Sequence, residues 1–279
     1  MFLNALTIDV EDWYHICGYE QNQSPSRSSW RVSIATERIL GLFDEFSVKA
    51  TFFVLGSVAE SEPGLIKLIS EGGHEVASHG WSHRLIYQLT PDQFRDELSR
   101  TEYVIQKLSG HRPVGFRAPQ WSVTDRSPWV HEILAERGYR YDSSLNPLPF
   151  IGDRRGLRVP SIISNSAGNL YEFPPLVSPT WFGNLPTGGG WGFRFFPAVL
   201  VDHSIRRLNA SGMPAVLYLH PRDVDPEGPR LQLPPLKKFA AYGTRNDALP
   251  RLRSLLKRFR FSTLKELATD DLLHSDPLV

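Results

Sequence analysis

Short apolar runs alternate with longer amphipathic stretches along most of the chain. The apolar runs have the length of β-strands and predict strands at residues 2–8, 50–55, 74–78, 139–144 and 215–220. Between them, apolar residues recur at helical spacing and predict helices at residues 33–47, 60–72, 91–109, 127–137, 197–211 and 246–258. The helix at 91–109 has the clearest start, because Thr90 can serve as its N-cap and Gln93 can complete a capping box.

This alternation predicts an α/β fold, with a mostly parallel sheet or barrel and right-handed crossovers. No internal repeat, low-complexity tract or linker divides the sequence, so residues 1–279 are predicted to form one domain. A chain of 279 residues, 41% of them hydrophobic, is large enough for a barrel of about 250 residues. In such folds the functional site lies at the carboxyl ends of the strands.

Composition and charge narrow the possible partners. The 31 basic and 30 acidic residues nearly balance, which argues against a nucleic-acid partner. Cys17 is the single cysteine, so an intrachain disulfide and a Cys-rich zinc site are excluded, and we expect a small buried side chain. No apolar run approaches the roughly 20 residues of a membrane span, and the first residues lack the features of a signal peptide. These features predict a cytoplasmic protein without a transmembrane segment.

Polar side chains follow three of the predicted strands and one further short apolar step. Residues 9–12 are "DVED", His79 and His83 lie four apart after the third strand, Arg117 follows a short apolar step, and His220 ends "VLYLH". Two histidines at this spacing can reach one cation if the backbone between them is helical, although a metal site needs a third ligand. Each residue alone could be structural, as an ion pair, a helix cap or a loop side chain. Their common position at strand ends favours a shared site.

These motifs carry a family resemblance. "TIDVED", "SHGWSH", "FRAPQWS" and "VLYLH" resemble, in order and spacing, the motifs of the polysaccharide deacetylase family, also called the NodB-homology or carbohydrate esterase family 4 proteins. "YRYDSSLNP", "YEFPP", "GGGWGFRFFP" and "LHPRDVDP" are similar to the branch of that family found at exopolysaccharide and exosortase loci. The resemblance implies a distorted (β/α)7 barrel and a metal-dependent hydrolase. Its expected reaction removes N-acetyl groups from amino sugars such as N-acetylglucosamine and releases acetate.

The resemblance also assigns roles to single residues. It implies that Asp9 is the general base, that His79 and His83 bind the metal, that Arg117 holds Asp9, and that His220 is the general acid. These roles suit amide hydrolysis, which needs a polarised carbonyl, a base for the attacking water and an acid for the leaving amine. We expect Arg117 to bind Asp9 through two parallel hydrogen bonds, a bidentate contact that lysine cannot form.

The carboxylate ligand is open between two residues. Many family members have adjacent aspartates in the first motif, whereas this chain has Asp9, Glu11 and Asp12. Strand alternation places Asp9 and Glu11 on one face, and a family branch with an Asp-x-Asp motif also favours Glu11. A turn beginning at Val10 would favour Asp12 instead. One carboxylate with two histidines suits Zn²⁺, although Co²⁺, Mn²⁺, Fe²⁺ or Ni²⁺ could bind.

Aromatic residues near the motifs are candidate sugar-stacking groups. We expect substrate contacts from Trp13, Pro119 and Trp191, and most of all from Trp191, because the glycines around it allow a close approach of the backbone.

The expected partner is an N-acetylated saccharide. A cytoplasmic location would make it a lipid-linked or nascent glycan, with peripheral contact at the inner membrane face. Two alternatives remain: a non-catalytic saccharide-binding protein, and a metal-independent hydrolase of C–N bonds like the allantoinase relatives of the family.

Overall fold

The computed structural model describes residues 2–16, 25–149, 151–152, 156–243 and 247–269. Cys17 and its predicted burial lie outside these residues. The strands are β1 (Leu3–Val10), β2 (Thr51–Val54), β3 (Glu75–Ser78), β4 (Gly115–Phe116), β5 (Tyr141–Asp142), β6 (Ser161–Asn165), β7 (Gly168–Glu172), β8 (Ser178–Thr180), β9 (Gly183–Leu185), β10 (Val216–Leu219) and β11 (Arg260–Ser262).

The helices lie mainly between the parallel strands. They are α1 (Val32–Phe46), α2 (Gly56–Ser61), α3 (Pro63–Glu71), α4 (Pro91–Ser109), α5 (Val130–Glu136), α6 (Gly190–Phe195), α7 (Ala198–Ala210), α8 (Pro235–Tyr242), α9 (Leu249–Leu256) and α10 (Leu264–Leu267). The predicted helix at 60–72 is interrupted before Pro63, which lacks a backbone N–H and begins α3. The capping box between Thr90 and Gln93 is confirmed.

The main sheet has the strand order β10-β1-β2-β3-β4-β5-β7-β6, and β11 pairs with the start of β1. Its pairs are parallel except for the hairpin of β6 and β7. After β7, the Phe173 N–H donates to the Asp142 carbonyl at 2.9 Å and the Leu176 N–H donates to the Val216 carbonyl at 2.8 Å. This segment links β5 to β10, so the sheet curls into an incomplete barrel. The predicted α/β fold of the distorted-barrel type is confirmed.

Strand β1 shows how the core positions polar residues. Leu6, Ile8 and Val10 pack with the surrounding helices, and each such buried side chain stabilises the fold by about 1.5–3 kcal/mol. Ala5 faces the other way, into the interior cluster of the barrel. Because side chains alternate along a strand, Asp9 shares the interior face with Ala5 and is held at the carboxyl end of β1.

After β5, the predicted elements at 197–211, 215–220 and 246–258 are found as α7, β10 and α9, but several shorter elements were not predicted. The hairpins β6–β7 and β8–β9 and the helices α6 and α8 are too short to produce a clear periodicity. Within the described residues, no helix combines the length and the apolar composition that a bilayer span requires.

Candidate active site

The carboxyl ends of β1, β3 and β10 open into a cavity of about 340 Å³. Asp9, Glu11, His83 and His220 line it. The polar residues that follow the predicted strands therefore lie around one cavity, as expected at the carboxyl ends of parallel strands.

Glu11, His79 and His83 form a compact cluster of metal-ligand type. Glu11 Oε1 lies 2.9 Å from His83 Nε2 and 3.2 Å from His79 Nε2. All three side chains are buried, and their ligand atoms lie within 4.8 Å of one another. One carboxylate oxygen and two imidazole nitrogens at this spacing fit a divalent cation with open coordination positions.

The second nitrogen of His79 supports this fit. His79 Nδ1–H donates to the carbonyl oxygen of Arg117 at 2.7 Å, and a carbonyl can only accept. In the neutral ring this leaves Nε2 as a lone pair that faces the Glu11 carboxylate. A divalent cation between these two atoms would bind both lone pairs, and a backbone hydrogen bond on the far nitrogen is the usual support of a ligand histidine.

Arg222 holds the other oxygen of Glu11. Arg222 Nη1 lies 2.7 Å from Glu11 Oε2, so Oε1 is the oxygen that faces the histidines. Burial raises the pKa of Glu11, but the charges of His83, Arg222 and His220 lower it more strongly and hold it well below its ordinary value. The carboxylate is therefore ionised over the working pH range.

Asp12 lies apart from the histidines, which corrects its inclusion among the metal ligands. Its carboxylate accepts hydrogen bonds from the backbone N–H groups of Trp13, Arg31 and Val32, and it thereby caps the start of α1. Of the two candidate acids, Glu11 is the one that the structure brings to the histidine pair.

Asp9 is paired with the fully buried Arg117. Arg117 Nη1 lies 2.7 Å from Asp9 Oδ1, whereas Nη2 donates to Ser143 Oγ at 2.8 Å and Nε donates to the Ser143 carbonyl at 3.2 Å. Nη1 also donates to Thr7 Oγ1. The expected bidentate contact with Asp9 was wrong: the guanidinium binds Asp9 through Nη1 alone, because Nη2 and Nε both bind Ser143, the residue after β5.

His220 is oriented by a chain of charged groups. His220 Nδ1–H donates to Asp223 Oδ2 at 3.1 Å, and Arg194 Nε lies 3.0 Å from Asp223 Oδ1. Burial raises the pKa of Asp223, but the charges of Arg194 and His220 outweigh it and keep the pKa below its ordinary value. The other ring nitrogen, Nε2, faces Asp9 Oδ2 at 3.9 Å. Base and acid candidates thus lie on the same cavity.

Three residues at the site have left-handed backbone conformations. The φ angle is 60° at His83, 50° at Gln120 and 48° at Trp121, none of them glycine. Such conformations cost about 1–3 kcal/mol each and collect at functional sites, where the surrounding structure enforces them. The second histidine of the pair therefore reaches Glu11 from a strained turn and not from the helix that its spacing suggested.

One of the residues predicted to contact the substrate, Trp191, lines the cavity. Trp191, Trp121 and Tyr218 line the cavity. Pro119 is buried beside it, and the neighbours of Pro119 provide the wall instead. Trp13 lies outside this wall, and its Nε1–H donates to the Ser29 carbonyl at 2.8 Å. Trp13 instead lines a second pocket together with Glu11 and Arg222, and the substrate contacts of Trp13 and Pro119 stay predictions.

Several residues of the site were missed in the sequence. Arg222, Asp223 and Arg194 support Glu11 and His220, and His15 lines the cavity. Burial and the charge of His83 lower the pKa of His15 to about 3, so this imidazole is neutral. Asp223 had a usable signal, since an acid three residues after His220 can form the capping box that the structure shows.

Two family models match the chain. Residues 28–141 match the model described as Polysaccharide deacetylase, and residues 143–269 match a domain of unknown function, DUF3473. The two matches meet within β5, and the main sheet contains strands from both segments.

Known proteins with similar sequences include a peptidoglycan deacetylase of Helicobacter pylori. It is 32% identical over 147 residues, which cover 51% of this chain and 49% of the relative. The matched region therefore spans about half the length of that relative.

Similar solved structures include a peptidoglycan N-acetylglucosamine deacetylase. Its TM-score is 0.52 at 20% identity, with 94% of this chain and 86% of that chain covered. The allantoinase PuuE gives a TM-score of 0.66 at 16% identity, with 99% and 91% covered. At these identities both likenesses concern the fold alone.

Proposed function

Because the chain contains a polysaccharide deacetylase domain of the NodB-homology, carbohydrate esterase family 4 type, we propose that it is a metal-dependent N-deacetylase of amino sugars. Its substrate would be an N-acetylglucosamine-type residue in a polysaccharide or in a lipid-linked or nascent precursor, and its product would be acetate. The observation that carries this proposal is the cluster of Glu11, His79 and His83 in the same cavity as Asp9 and His220.

The metal would be held by Glu11 Oε1 and the Nε2 atoms of both histidines. A divalent ion such as Zn²⁺ supplies, when bound, a Lewis acid for the amide carbonyl and a lower pKa for a bound water. This ligand set suits Zn²⁺, and Co²⁺, Mn²⁺, Fe²⁺ and Ni²⁺ are compatible with it. Because Arg222 binds Oε2 of Glu11, only Oε1 is available as a metal ligand.

Asp9 would accept a proton as the general base, and His220 would donate one as the general acid. Asp9 is ion-paired with Arg117, which keeps the carboxylate oriented toward the cavity, where it can accept the proton of an attacking water. His220 is held by Asp223 with Nε2 toward the cavity, where a protonated imidazole can donate to the leaving amine nitrogen. The pair therefore supplies the base and the acid that amide hydrolysis requires.

The shape of the cavity suits a sugar residue. Its volume of about 340 Å³ can enclose a small ligand, and Trp191 and Trp121 offer aromatic faces. Aromatic rings stack on the apolar faces of sugars while polar groups bind the hydroxyls.

Acetate release tests the proposal directly. The protein would be incubated with N-acetylhexosamine oligosaccharides and lipid-linked precursors, before and after chelation, and again after Zn²⁺ or Co²⁺ is restored. Metal-dependent release is expected. Release that survives chelation would indicate an allantoinase-like hydrolase, and no release from a saccharide that still binds would indicate a binding protein.

Arg117→Lys should lower kcat/KM for acetate release by at least about tenfold. A lysine has one ammonium group and cannot bond to Thr7, Asp9 and Ser143 in the present geometry. The measurement is steady-state kinetics, with the midpoint of denaturant unfolding as a check on folding. Arg112→Lys is the matched control, because Arg112 forms a surface ion pair with Glu102. Nearly intact turnover in Arg117→Lys would show that the Arg117–Asp9 pair stabilises the fold but does not contribute to catalysis.

Trp191→Ala should raise KM about fivefold to tenfold and change kcat by less than about twofold. The indole lines the cavity from α6 and carries neither a base nor a metal-ligand atom. Trp181→Ala is the control, since that side chain is 95% exposed on the connection between β8 and β9. An unchanged KM in Trp191→Ala would show that Trp191 does not contribute to substrate binding.

A further inference from the structure

Apolar side chains are exposed where α8 meets α6. Leu236 is 85% exposed, and Phe239 and Phe195 are also exposed, with their ring centroids 5.5 Å apart. We call these three residues the rim patch. Helix α8 itself has no buried residue, which is unusual for a helix in a folded domain. Contiguous exposed apolar groups of this kind mark interaction surfaces.

The two sequence segments that carry the rim patch contain basic residues but no acidic ones. Residues 228–243, which include all of α8, contain Arg230, Lys237 and Lys238 and no Asp or Glu. Residues 178–201, which include α6, also lack acidic residues. Exposed apolar groups on segments that carry lysines and no carboxylates of their own complement a membrane surface, which has anionic headgroups outside and acyl chains beneath.

Helix α8 also forms one wall of the cavity. Lys237, Ala240 and Ala241 line the cavity, whereas Leu236 is exposed to solvent on the same helix. Arg194 donates to the carbonyl oxygens of Tyr242 at 2.6 Å and Ala241 at 3.0 Å, which fixes the end of α8. The rim patch therefore has a fixed position beside the mouth of the cavity.

We propose that the rim patch docks the protein on an anionic phospholipid bilayer. This inference rests on the proposed function and makes its substrate a glycan anchored in that membrane. Leu236 and the two phenylalanines enter the interface between headgroups and acyl chains, and Lys238 contacts anionic headgroups. Docking places the cavity at the height where a lipid-linked sugar emerges. A platform for a long soluble glycan fits less well, because α8 offers neither carboxylate nor amide side chains to bind sugar hydroxyls.

Cosedimentation with vesicles tests the proposal. The intact protein should sediment with vesicles that contain phosphatidylglycerol and remain in solution with vesicles of phosphatidylcholine alone. Leu236→Asp should weaken binding to the anionic vesicles at least about tenfold, because it places a charge in the apolar interface. Leu68→Asp is the matched control, since Leu68 is also exposed but lies on α3. This control should bind as the unaltered protein does.

Three results would overturn the proposal. The first is that the unaltered protein does not bind the anionic vesicles, and the second is that Leu236→Asp binds them equally well. The third is that the protein binds an insoluble long glycan, that Leu236→Asp abolishes this binding, and that vesicles have no effect on it. Acetate release from a short soluble oligosaccharide should be unchanged in Leu236→Asp. Vesicle binding without any acetate release would contradict the proposed deacetylase activity and leave the membrane surface standing, so the two failures are distinguishable.

Discussion

Asp9→Asn should lower kcat for acetate release by about a hundredfold to ten-thousandfold while KM changes little. The amide keeps the size of the carboxylate and can still accept a hydrogen bond from Arg117, but it cannot take a proton from water. The contact at 2.7 Å shows that Asp9 is already held in place, so the loss should come from the missing base and not from disorder.

Asp12→Asn is the control for that substitution, since it makes the same chemical change three residues away. Asp12 binds backbone N–H groups at the start of α1, so we expect a loss of stability of about 1 kcal/mol and nearly full turnover. Steady-state kinetics and denaturant unfolding of both variants separate the two roles. If Asp9→Asn kept a tenth or more of the activity, another group would have to be the base.

His79→Ala should weaken binding of Zn²⁺ or Co²⁺ at least about a hundredfold and abolish measurable acetate release. The substitution removes one of three ligand atoms and the hydrogen bond that fastens the ring to the Arg117 carbonyl. Titration calorimetry of the metal-free protein measures the affinity without any assay of catalysis. The unaltered chain should bind one ion at this cluster.

The control for His79→Ala is His203→Ala, because His203 is exposed on α7 and outside the cavity. Its metal affinity should equal that of the unaltered chain. Equal affinity in His79→Ala and the unaltered chain would place the ion elsewhere. Activity that persists in His79→Ala without bound metal would favour the metal-independent hydrolase.

Local patterns account for what the sequence predicted well. The alternation along β1 depends only on neighbouring residues, and it predicted that Asp9 and Glu11 lie on one face, where both line the cavity. The capping box at Thr90 is likewise a matter of four consecutive residues. Patterns of this kind are enforced by backbone geometry wherever they occur.

Contacts between distant segments account for what the sequence missed. Arg222 lies 211 residues from Glu11, and nothing near either residue indicates that they meet. The left-handed turn at His83 depends in the same way on the structure packed around it, so the spacing of the histidines suggested a helix where the chain turns instead. The short elements α6 and α8 lacked enough turns for a periodic signal, although they form one wall of the cavity.

The pairing of β1 also affects how the protein is made. Strand β1 lies between β2 and β10 in the sheet, yet β10 begins only at Val216. At about 5–20 residues per second, a ribosome takes roughly 10–40 s to synthesise the residues between β1 and β10. During this interval the nascent chain holds an apolar strand with one unpaired edge, and a site cannot exist because Asp9 has not yet met His220. Such long-range pairing slows folding, so the edge of β1 that later binds β10 stays open to aggregation until Val216–Leu219 has been synthesised.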